Sequence, residues 1–515
     1  MPTYLSPGVY VEEVEAGSRP IEGVGTAVAA FVGLAADGPL NAPTLVSNWS
    51  QFTQTFGEFV EGSYLAHAVY GYFMNGGGNC YVVRIGHDGA AGNGQVKQLL
   101  PGHAQATLGG YRVSALDSGK TAKPVTVEVT DPGGESPPED SFKLVVKRDG
   151  KVVEEYDRVT TARGAQGVAT VVNAQSKTIK IEAVSSRGTL EKPAKGSVDL
   201  KAEEPPAQSV PADLTPDQYV GDAAERTGFG GLEAIDEVTM ICVPDLMAAY
   251  QREQLDLEGV KAVQVAMIAH CELMGDRIAI LDPPPGLNAQ QIKDWRVETA
   301  GYDSKYATLY YPWVKVLDPS SGQSIFVPPS GHMAGIWGRN DDTRGVHKAP
   351  ANEIVRGAIT LELQLTKNEH DLLNPLGVNC IRAFPGRGIR VWGARTLSSD
   401  PAWRYLNVRR LFNYLEESIL SGTQWVVFEP NDQALWAKIR RTIASFLVME
   451  WRKGALFGLT PDEAFYVKCD DETNPAEGID AGQVVCEIGV APVKPAEFVI
   501  FRLAQFSGGT SLINE

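Results

Sequence analysis

Residues 238–281 have the sequence VTMICVPDLMAAYQREQLDLEGVKAVQVAMIAHCELMGDRIAIL. Residues 238–243 form a short apolar run closed by Pro244, which is typical of a buried strand. Residues 255–274 carry apolar side chains at helical spacing and predict an amphipathic helix, and residues 277–281 predict a second strand. Helices that alternate with apolar strands favour a parallel or mixed sheet.

The same alternation extends to both sides of this stretch. Before it, apolar runs at residues 27–34 and 80–85 predict strands, with a helix predicted at residues 64–72 between them. After it, residues 306–316 and 325–327 predict further strands. The chain is therefore predicted to be an α/β or α+β protein of several domains, as its length of 515 residues also indicates.

Residues 86–221 differ from the sequence around them. Alternating segments at residues 125–129, 144–146 and 178–181 predict short strands, and Gly- and Pro-rich turn signals separate them. Tryptophan is absent here, and a linker follows at residues 203–216. The pattern predicts a small, surface-exposed, mainly β insertion.

Two strong helices are predicted beyond residue 371. The first has apolar residues at three- and four-residue spacing: Tyr405, Val408, Leu411, Phe412, Leu415 and Ile419. The second is predicted near residues 431–451 and begins at Asn431-Asp432, a favourable N-cap.

The second helix has a basic face in an acidic protein. At about 100° per residue, Lys438, Arg441 and Arg452 project together, opposite the apolar side. Glu450 projects onto the apolar side, so we expect either a bend before it or an arginine partner.

Both ends of the chain predict strands that have no partner nearby in the sequence. Residues 8–14 alternate after the turn signal Pro7-Gly8, and residues 497–506 read EFVIFRLAQF. An isolated strand is unstable in water and must pair with a distant segment or with another chain.

The charge balance argues against one class of partner. The chain has 63 acidic and 46 basic residues, a formal net charge of −17. Such a field disfavours non-specific binding to nucleic acid or to an anionic membrane.

The cysteines and the N-terminal sequence predict the compartment. Six cysteines are scattered without C-x-x-C spacing, most of them in apolar runs, and predict free, buried thiols. Residues 1–10 lack the features of a signal peptide, and no apolar run reaches the ~18 residues that span a bilayer. We expect assembly in the cytoplasm, with or without later release as an extracellular or virion-like particle.

The motifs that carry catalysis or bind cofactors are incomplete. Ser118-Gly119-Lys120-Thr121 resembles the end of a phosphate-binding loop but has Ser114 where the first glycine belongs. Gly386-Arg387-Gly388 lacks the third glycine of a dinucleotide site, and Gly322-Gln323-Ser324 lacks the second glycine of a nucleophile elbow. The histidines show no paired metal-ligand spacing. We expect no catalytic site, no cofactor and no metal.

Several segments of the chain form a recognisable set: SPGVYVEE at residues 6–13, GVNCIR at 377–382, FPGRGIRVWGARTL at 384–397, DP at 400–401, WRY at 403–405, NVRR at 407–410 and PAEFVIF at 495–501. Together they resemble the contractile tail sheath proteins of phages and of phage-tail-like injection systems. The signature residues in the central part of this match are Arg382, Pro385, Gly386, Arg387, Gly388, Trp392, Arg395, Trp403 and Arg409.

The resemblance implies a structural polymer. In this family, subunits form hexameric rings stacked helically around an inner tube, and terminal arms of neighbouring subunits add strands to a third subunit's sheet. The resemblance thus implies inter-subunit contacts by the following arm residues: Gly8, Val9, Tyr10, Val11, Glu12, Phe498, Val499, Ile500, Phe501 and Arg502. It also implies inner-tube contact by the C-terminal domain, for which Lys438, Arg441 and Arg452 are the candidates, a solvated face being the alternative.

The expected partners are other copies of the chain, an inner tube protein, and baseplate and terminal cap proteins, with neither nucleic acid nor membrane insertion. The sheath core is expected to use both ends of the chain. The predicted divisions are an N-terminal exchange arm at residues 1–20, the N-terminal part of the α/β core at 21–85, the insertion at 86–221, an α/β middle domain at 222–370, a tube-facing C-terminal core domain at 371–490 and a C-terminal exchange arm at 491–515.

Two alternatives remain open from the sequence. One is a baseplate or cap component that shares the sheath fold. The other is an enzyme with a site in residues 229–317, involving Asp245, Asp282 or His332.

Overall fold

The computed structural model describes residues 20–86, 103–118, 125–133, 138, 140–161, 167–183, 192–202 and 214–503. The chain divides into two compact units, residues 89–209 and the remainder. The predicted N-terminal strand, with Gly8, Val9, Tyr10, Val11 and Glu12, lies outside the described residues.

The strands in chain order are β1 (Ala29–Gly33), β2 (Thr44–Val46), β3 (Cys80–Arg84), β4 (His103–Leu108), β5 (Tyr111–Ser118), β6 (Val125–Thr130), β7 (Ser141–Arg148), β8 (Lys151–Thr160), β9 (Ile179–Ala183), β10 (Gly196–Asp199), β11 (Lys201–Ala202), β12 (Met240–Cys242), β13 (Ile278–Leu281), β14 (Ala307–Tyr311), β15 (Val314–Leu317), β16 (Ser324–Val327), β17 (Ala358–Leu361), β18 (Val378–Phe384), β19 (Gly388–Val391), β20 (Phe465–Lys468) and β21 (Glu487–Val490).

The α-helices in chain order are α1 (Trp49–Phe56), α2 (Leu65–Met74), α3 (Val168–Gln175), α4 (Pro216–Val220), α5 (Asp245–Gln251), α6 (Leu257–Met274), α7 (Ala289–Asp294), α8 (Ser330–Arg344), α9 (Lys367–Leu373), α10 (Leu406–Gly422), α11 (Gln433–Arg452), α12 (Pro461–Ala464) and α13 (Ala476–Asp480).

The larger unit is built on a mixed sheet of eight described strands, in the order β19-β18-β14-β13-β12-β1-β3-β2. The six inner strands run parallel, and the edge strands β2 and β19 run antiparallel to their neighbours. All residues of β1, β12, β13 and β14 are buried, as apolar strands covered on both faces must be. The predicted α/β fold class is confirmed.

Helices cover both faces of this sheet. Helix α6 packs on one face through Val260, Val263 and Met267, and α2 and α8 pack on the other. Gly331 of α8 is required where the two helices meet, because a Cβ at this position would collide with the Ala68 carbonyl of α2.

The smaller unit contains two antiparallel four-stranded sheets, β10-β6-β7-β8 and β11-β4-β5-β9. Side chains from both sheets and from α3 share one apolar core, to which Val127, Leu144, Val172 and Ile181 belong. The three strands predicted in this region are present as β6, β7 and β9, whereas α3 was not predicted.

The C-terminal helices α10 and α11 pack on each other around Leu411, Leu415, Ile439 and Phe446. The Asp432 carboxylate accepts a hydrogen bond from the Leu435 amide at 2.8 Å, which confirms the predicted N-cap of α11.

The predicted arginine partner of Glu450 is wrong. Helix α11 continues past this residue, whose side chain lies buried on the apolar side. Its carboxylate pairs with Lys453 at 2.7 Å and accepts a hydrogen bond from the Tyr414 hydroxyl at 3.1 Å. The partner is therefore a lysine one turn further along, which can extend its ammonium group to solvent while neutralising the carboxylate.

Candidate assembly surfaces

The C-terminal arm, which we define as residues 495–503, has no strand partner among the described residues. It exposes a run of large apolar side chains, with exposed fractions of 74% for Phe498, 66% for Val499, 79% for Ile500, 86% for Phe501 and 98% for Leu503. Arg502 is exposed as well. A run of this size on a protein surface marks an interaction site.

The base of the arm is fixed to the main unit by Glu497. The Arg395 guanidinium donates to both carboxylate oxygens of Glu497, at 2.9 and 2.5 Å, and Asn374 donates a further bond at 3.1 Å. Burial alone would raise the pKa of Glu497, but these hydrogen bonds hold it below its usual range. We call this ion pair the arm clamp.

The arm clamp is tied in turn to the central sheet. The Arg395 amide donates to the Asn379 side chain on β18 at 2.7 Å, and the Asn379 amide group donates to the Thr308 hydroxyl on β14 at 2.8 Å. The arm therefore leaves the protein from a rigid point.

The structure brings several of the signature residues to this place. A groove of about 660 Å³ is lined by Arg382, Trp392 and the arm residues Phe498 and Val499, among others. Pro385, Gly386 and Arg387 form the turn between β18 and β19 beside it. Gly386 and Gly388 have φ angles of 70° and 76°, which favour glycine. The Arg387 guanidinium stacks over Trp392, 5.9 Å from the ring centre.

Trp403 and Arg409 form a separate cluster, in which Arg409 is buried and Trp403 is half-buried. The Arg409 guanidinium lies 4.5 Å from the ring centre of Trp403 and 4.8 Å from that of Tyr306, and its Nε donates to Asn413 at 2.7 Å. Arg409 is only 1% exposed. Its contacts indicate a packing role at the start of α10.

The basic face of α11 is only partly free. Arg441 and Arg452 are exposed, whereas the Lys438 ammonium lies over the Trp425 ring, 4.1 Å from its centre. Lys438 is therefore half-buried, and only Arg441 and Arg452 of the three predicted residues are fully accessible to a partner.

Sequence reasoning missed a second group of exposed apolar side chains in the C-terminal region. Phe428 is fully exposed and has a φ angle of 68°, which is rare for a residue with a side chain. Phe457 and Leu459 are 73% and 90% exposed. The apolar run Trp425-Val426-Val427-Phe428 is the sequence feature that could have indicated an apolar surface here.

Asp245 and Asp282, the two acidic residues considered for catalysis, instead accept hydrogen bonds at the starts of helices. The Asp245 carboxylate accepts hydrogen bonds from the amide of Leu34, just after β1, at 2.6 Å and from that of Leu65, at the start of α2, at 3.1 Å. The Asp282 carboxylate accepts from the amide and hydroxyl of Ser330, at 2.9 and 2.6 Å, at the start of α8. His332 is buried, which lowers its pKa to about 4 and keeps it neutral.

Asp282 gives a testable pH dependence. Burial raises its pKa to about 7, above the ~3.9 of an unfolded aspartate, so ionisation opposes folding as the pH rises from 4 to 7. We expect Asp282→Asn to gain stability relative to the unsubstituted chain over this range, by a few kcal/mol, with a plateau above pH 7. Urea denaturation at several pH values measures this difference, and a difference that does not vary with pH would contradict it.

None of the described helices is both long and apolar enough to cross a bilayer. No cluster of three potential metal ligands occurs in the part of the chain that the structure describes.

The described chain thus combines an α/β core with an exposed apolar segment near its C-terminal end. Models of the phage tail sheath protein central domain and the phage tail sheath C-terminal domain match residues 225–397 and 398–506, more than half of the chain. The chain belongs to the phage tail sheath family.

Curated relatives agree with this assignment. The tail sheath protein of Burkholderia phage BcepMu is 24% identical over 96% of this chain and 95% of its own length. The tail sheath protein of Vibrio phage KVP40 is 26% identical over 44% of this chain, and the match spans only 35% of that longer protein.

Solved structures share the fold. A sheath chain of the anti-feeding prophage in its contracted state matches with a TM-score of 0.60 and 23% identity, over 98% of this chain and 100% of its own. The sheath complex of an extracellular contractile injection system, PVC, matches with a TM-score of 0.58 and 23% identity, over 98% and 99%. A sheath tail protein from Desulfitobacterium hafniense matches with a TM-score of 0.54 and 12% identity, over 90% and 93%.

Proposed function

We propose that this chain is the sheath subunit of a contractile, phage-tail-like injection particle. It polymerises as hexameric rings stacked around an inner tube, and it shortens from a metastable extended state to drive the tube into a target envelope. The observation that carries the proposal is the exposed apolar C-terminal arm, clamped at its base and without a partner within the described chain.

The arm supports polymerisation by strand addition. Its backbone groups are free to pair with the sheet edge of another copy, and its side chains alternate between the two faces of the strand so formed. Phe498 and Ile500 would cover one face and Val499, Phe501 and Leu503 the other. A strand that is apolar on both faces suits a position buried within an assembly.

Contraction then needs no nucleotide. A polymer with two packings of different free energy releases energy on passing to the more stable one, and strand-paired joints persist through the change. The chain accordingly acts as a structural protein rather than an enzyme.

Assembly takes place in the cytoplasm, before any release of the particle. Baseplate and cap proteins would close the two ends of the sheath. The anti-feeding prophage and PVC structures, which contain chains of the same fold, support this proposal.

Electron microscopy of the purified full-length chain tests the function. A sheath subunit should form long tubes, or rings that stack. Single closed rings that never extend would instead identify a baseplate or cap component, and a discrete small oligomer would overturn the proposal.

The basic face of α11 gives a test of tube contact. Charge contacts position a partner while contributing modest, salt-sensitive energy, which suits a surface that must release. We expect Arg441→Glu to lower several-fold the yield of extended sheath that assembles on the inner tube. The yield of contracted tubes that form without the inner tube should not change. Counting particles by electron microscopy measures both.

Lys151→Glu is the matched control for this substitution. It makes the same change in net charge on an exposed residue of the smaller unit. Equal yields of extended sheath from both variants would contradict tube contact by the basic face of α11 and would indicate that this face is solvated.

A further inference from the structure

Strands β20 and β21 place two cysteines opposite each other. The strands pair antiparallel, with Phe465 facing Val490 and Lys468 facing Glu487. One more step in this register sets Cys469 opposite Cys486, just beyond the paired ends. Facing residues of an antiparallel pair have Cα atoms about 4.5–5.5 Å apart, within the range of about 4.4–6.8 Å found in disulfides.

Hydrogen bonds hold the two chain segments together at this point. The Asn474 side chain accepts from the Val485 amide at 2.6 Å and donates to the Val485 carbonyl at 3.0 Å. The same amide group lies 3.7 Å from the Cys469 sulfur.

The other four cysteines differ from this pair. Cys80, Cys242, Cys271 and Cys380 are fully buried in the cores on the two faces of the central sheet. Cys486 is only partly buried, whereas Cys469 is fully buried, so we expect a small oxidant to reach the Cys486 sulfur first.

We propose that Cys469 and Cys486 form a latent disulfide that closes when the protein passes from a reducing to an oxidising environment. The oxidant is a small-molecule disulfide such as oxidised glutathione. The bond would join the two ends of residues 470–485 and so fix the segment that contains α13.

The chemistry balances as two thiol–disulfide exchanges. The Cys486 thiolate attacks one sulfur of the oxidant, forms a mixed disulfide and releases one small thiol. The Cys469 thiolate then attacks the Cys486 sulfur and releases the second small thiol. Two electrons pass from the protein to the oxidant, and the two cysteine protons end on the released thiols or in solvent.

Burial makes this pair slow to react. It raises the pKa of Cys486 to about 12 and also raises that of Cys469, so both thiols are protonated at neutral pH. The pair therefore stays reduced through synthesis and responds to prolonged exposure to oxidant.

The full-length chain equilibrated with reduced and oxidised glutathione tests the proposal. Alkylation followed by mass spectrometry of the linked peptides measures the fraction of Cys469–Cys486 disulfide. Because folding sets the two cysteines opposite each other, we expect the equilibrium constant for oxidation to be at least about tenfold higher in the folded chain than in urea. Reductant should reverse the bond, and Cys486→Ala should abolish it while leaving the other cysteines protected.

Two outcomes would overturn the proposal. One is an equilibrium constant no higher in the folded chain than in the denatured one. The other is linked peptides that join a different pair. Cys486 lies outside the fully buried core, so the Cys486→Ala chain is expected to keep the main packing and remains a valid comparison if Cys469→Ala fails to fold.

Discussion

Removal of residues 498–515 is expected to give a folded subunit that no longer assembles into tubes. The removed side chains that the structure describes, at residues 498–503, are exposed, and Glu497 stays in place to pair with Arg395, so the melting temperature should change by no more than a few degrees. In an assembly, each large apolar side chain of the arm contributes roughly 1.5–3 kcal/mol when buried. Loss of several of them should lower the yield of long tubes more than about 100-fold, as counted by electron microscopy.

A shorter truncation serves as the control for this prediction. Removal of residues 507–515 keeps the whole predicted strand at residues 497–506 and should leave tube formation unchanged. Long tubes in normal yield from the chain that ends at Glu497 would contradict polymerisation through the C-terminal arm.

Arg410→Ala is expected to have the largest effect on stability. Its guanidinium pairs with both oxygens of Asp341 at 2.9 and 2.6 Å and donates to the Thr26 carbonyl at 3.0 Å. It also stacks on Trp337, 4.6 Å from the ring centre. The side chains of both ions are 4% exposed. Breaking a buried pair leaves an uncompensated charge, which costs about 3–5 kcal/mol of unfolding free energy.

Denaturation followed by tryptophan fluorescence measures this loss, and Arg404→Ala is the matched control. Arg404 stands on an exposed surface six residues earlier, and its substitution should cost less than about 0.5 kcal/mol. Adding Asp341→Asn to Arg410→Ala should restore part of the stability, because it removes the unpaired charge. Equal losses from the two single arginine substitutions would refute the assigned role of this ion pair.

The elements predicted correctly are those with a clear hydrophobic period. The strands β1, β3, β12, β13 and β14 and the helices α6, α10 and α11 all carry one, whereas β2, β18 and β19 of the same sheet were not predicted. Helix α8 was missed because residues 330–338 are buried on every side and rich in glycine, so no apolar stripe distinguishes them. Helix α8 is buried by elements that are distant in the sequence, and the local sequence pattern does not indicate this burial.

The candidate sites were predictable to a smaller extent. The apolar period of the arm was visible in the sequence, whereas the arm clamp joins residues 102 positions apart and depends on the folded sheet. Helical projection put Lys438 on the same face as Arg441, but it could not show that Trp425 packs over the lysine. Contacts of this kind arise from the arrangement of elements in space.

The arm clamp has a mechanical consequence. When a neighbouring subunit pulls on the arm, the tension passes from Glu497 to Arg395 and then, through Asn379 and Thr308, into adjacent parallel strands. Two bonds share the first step of this path, so neither carries the whole force. In the proposed sheath, movement of one ring would therefore displace the central sheets of the next ring as rigid bodies. The movement would not be absorbed by extension of a flexible linker.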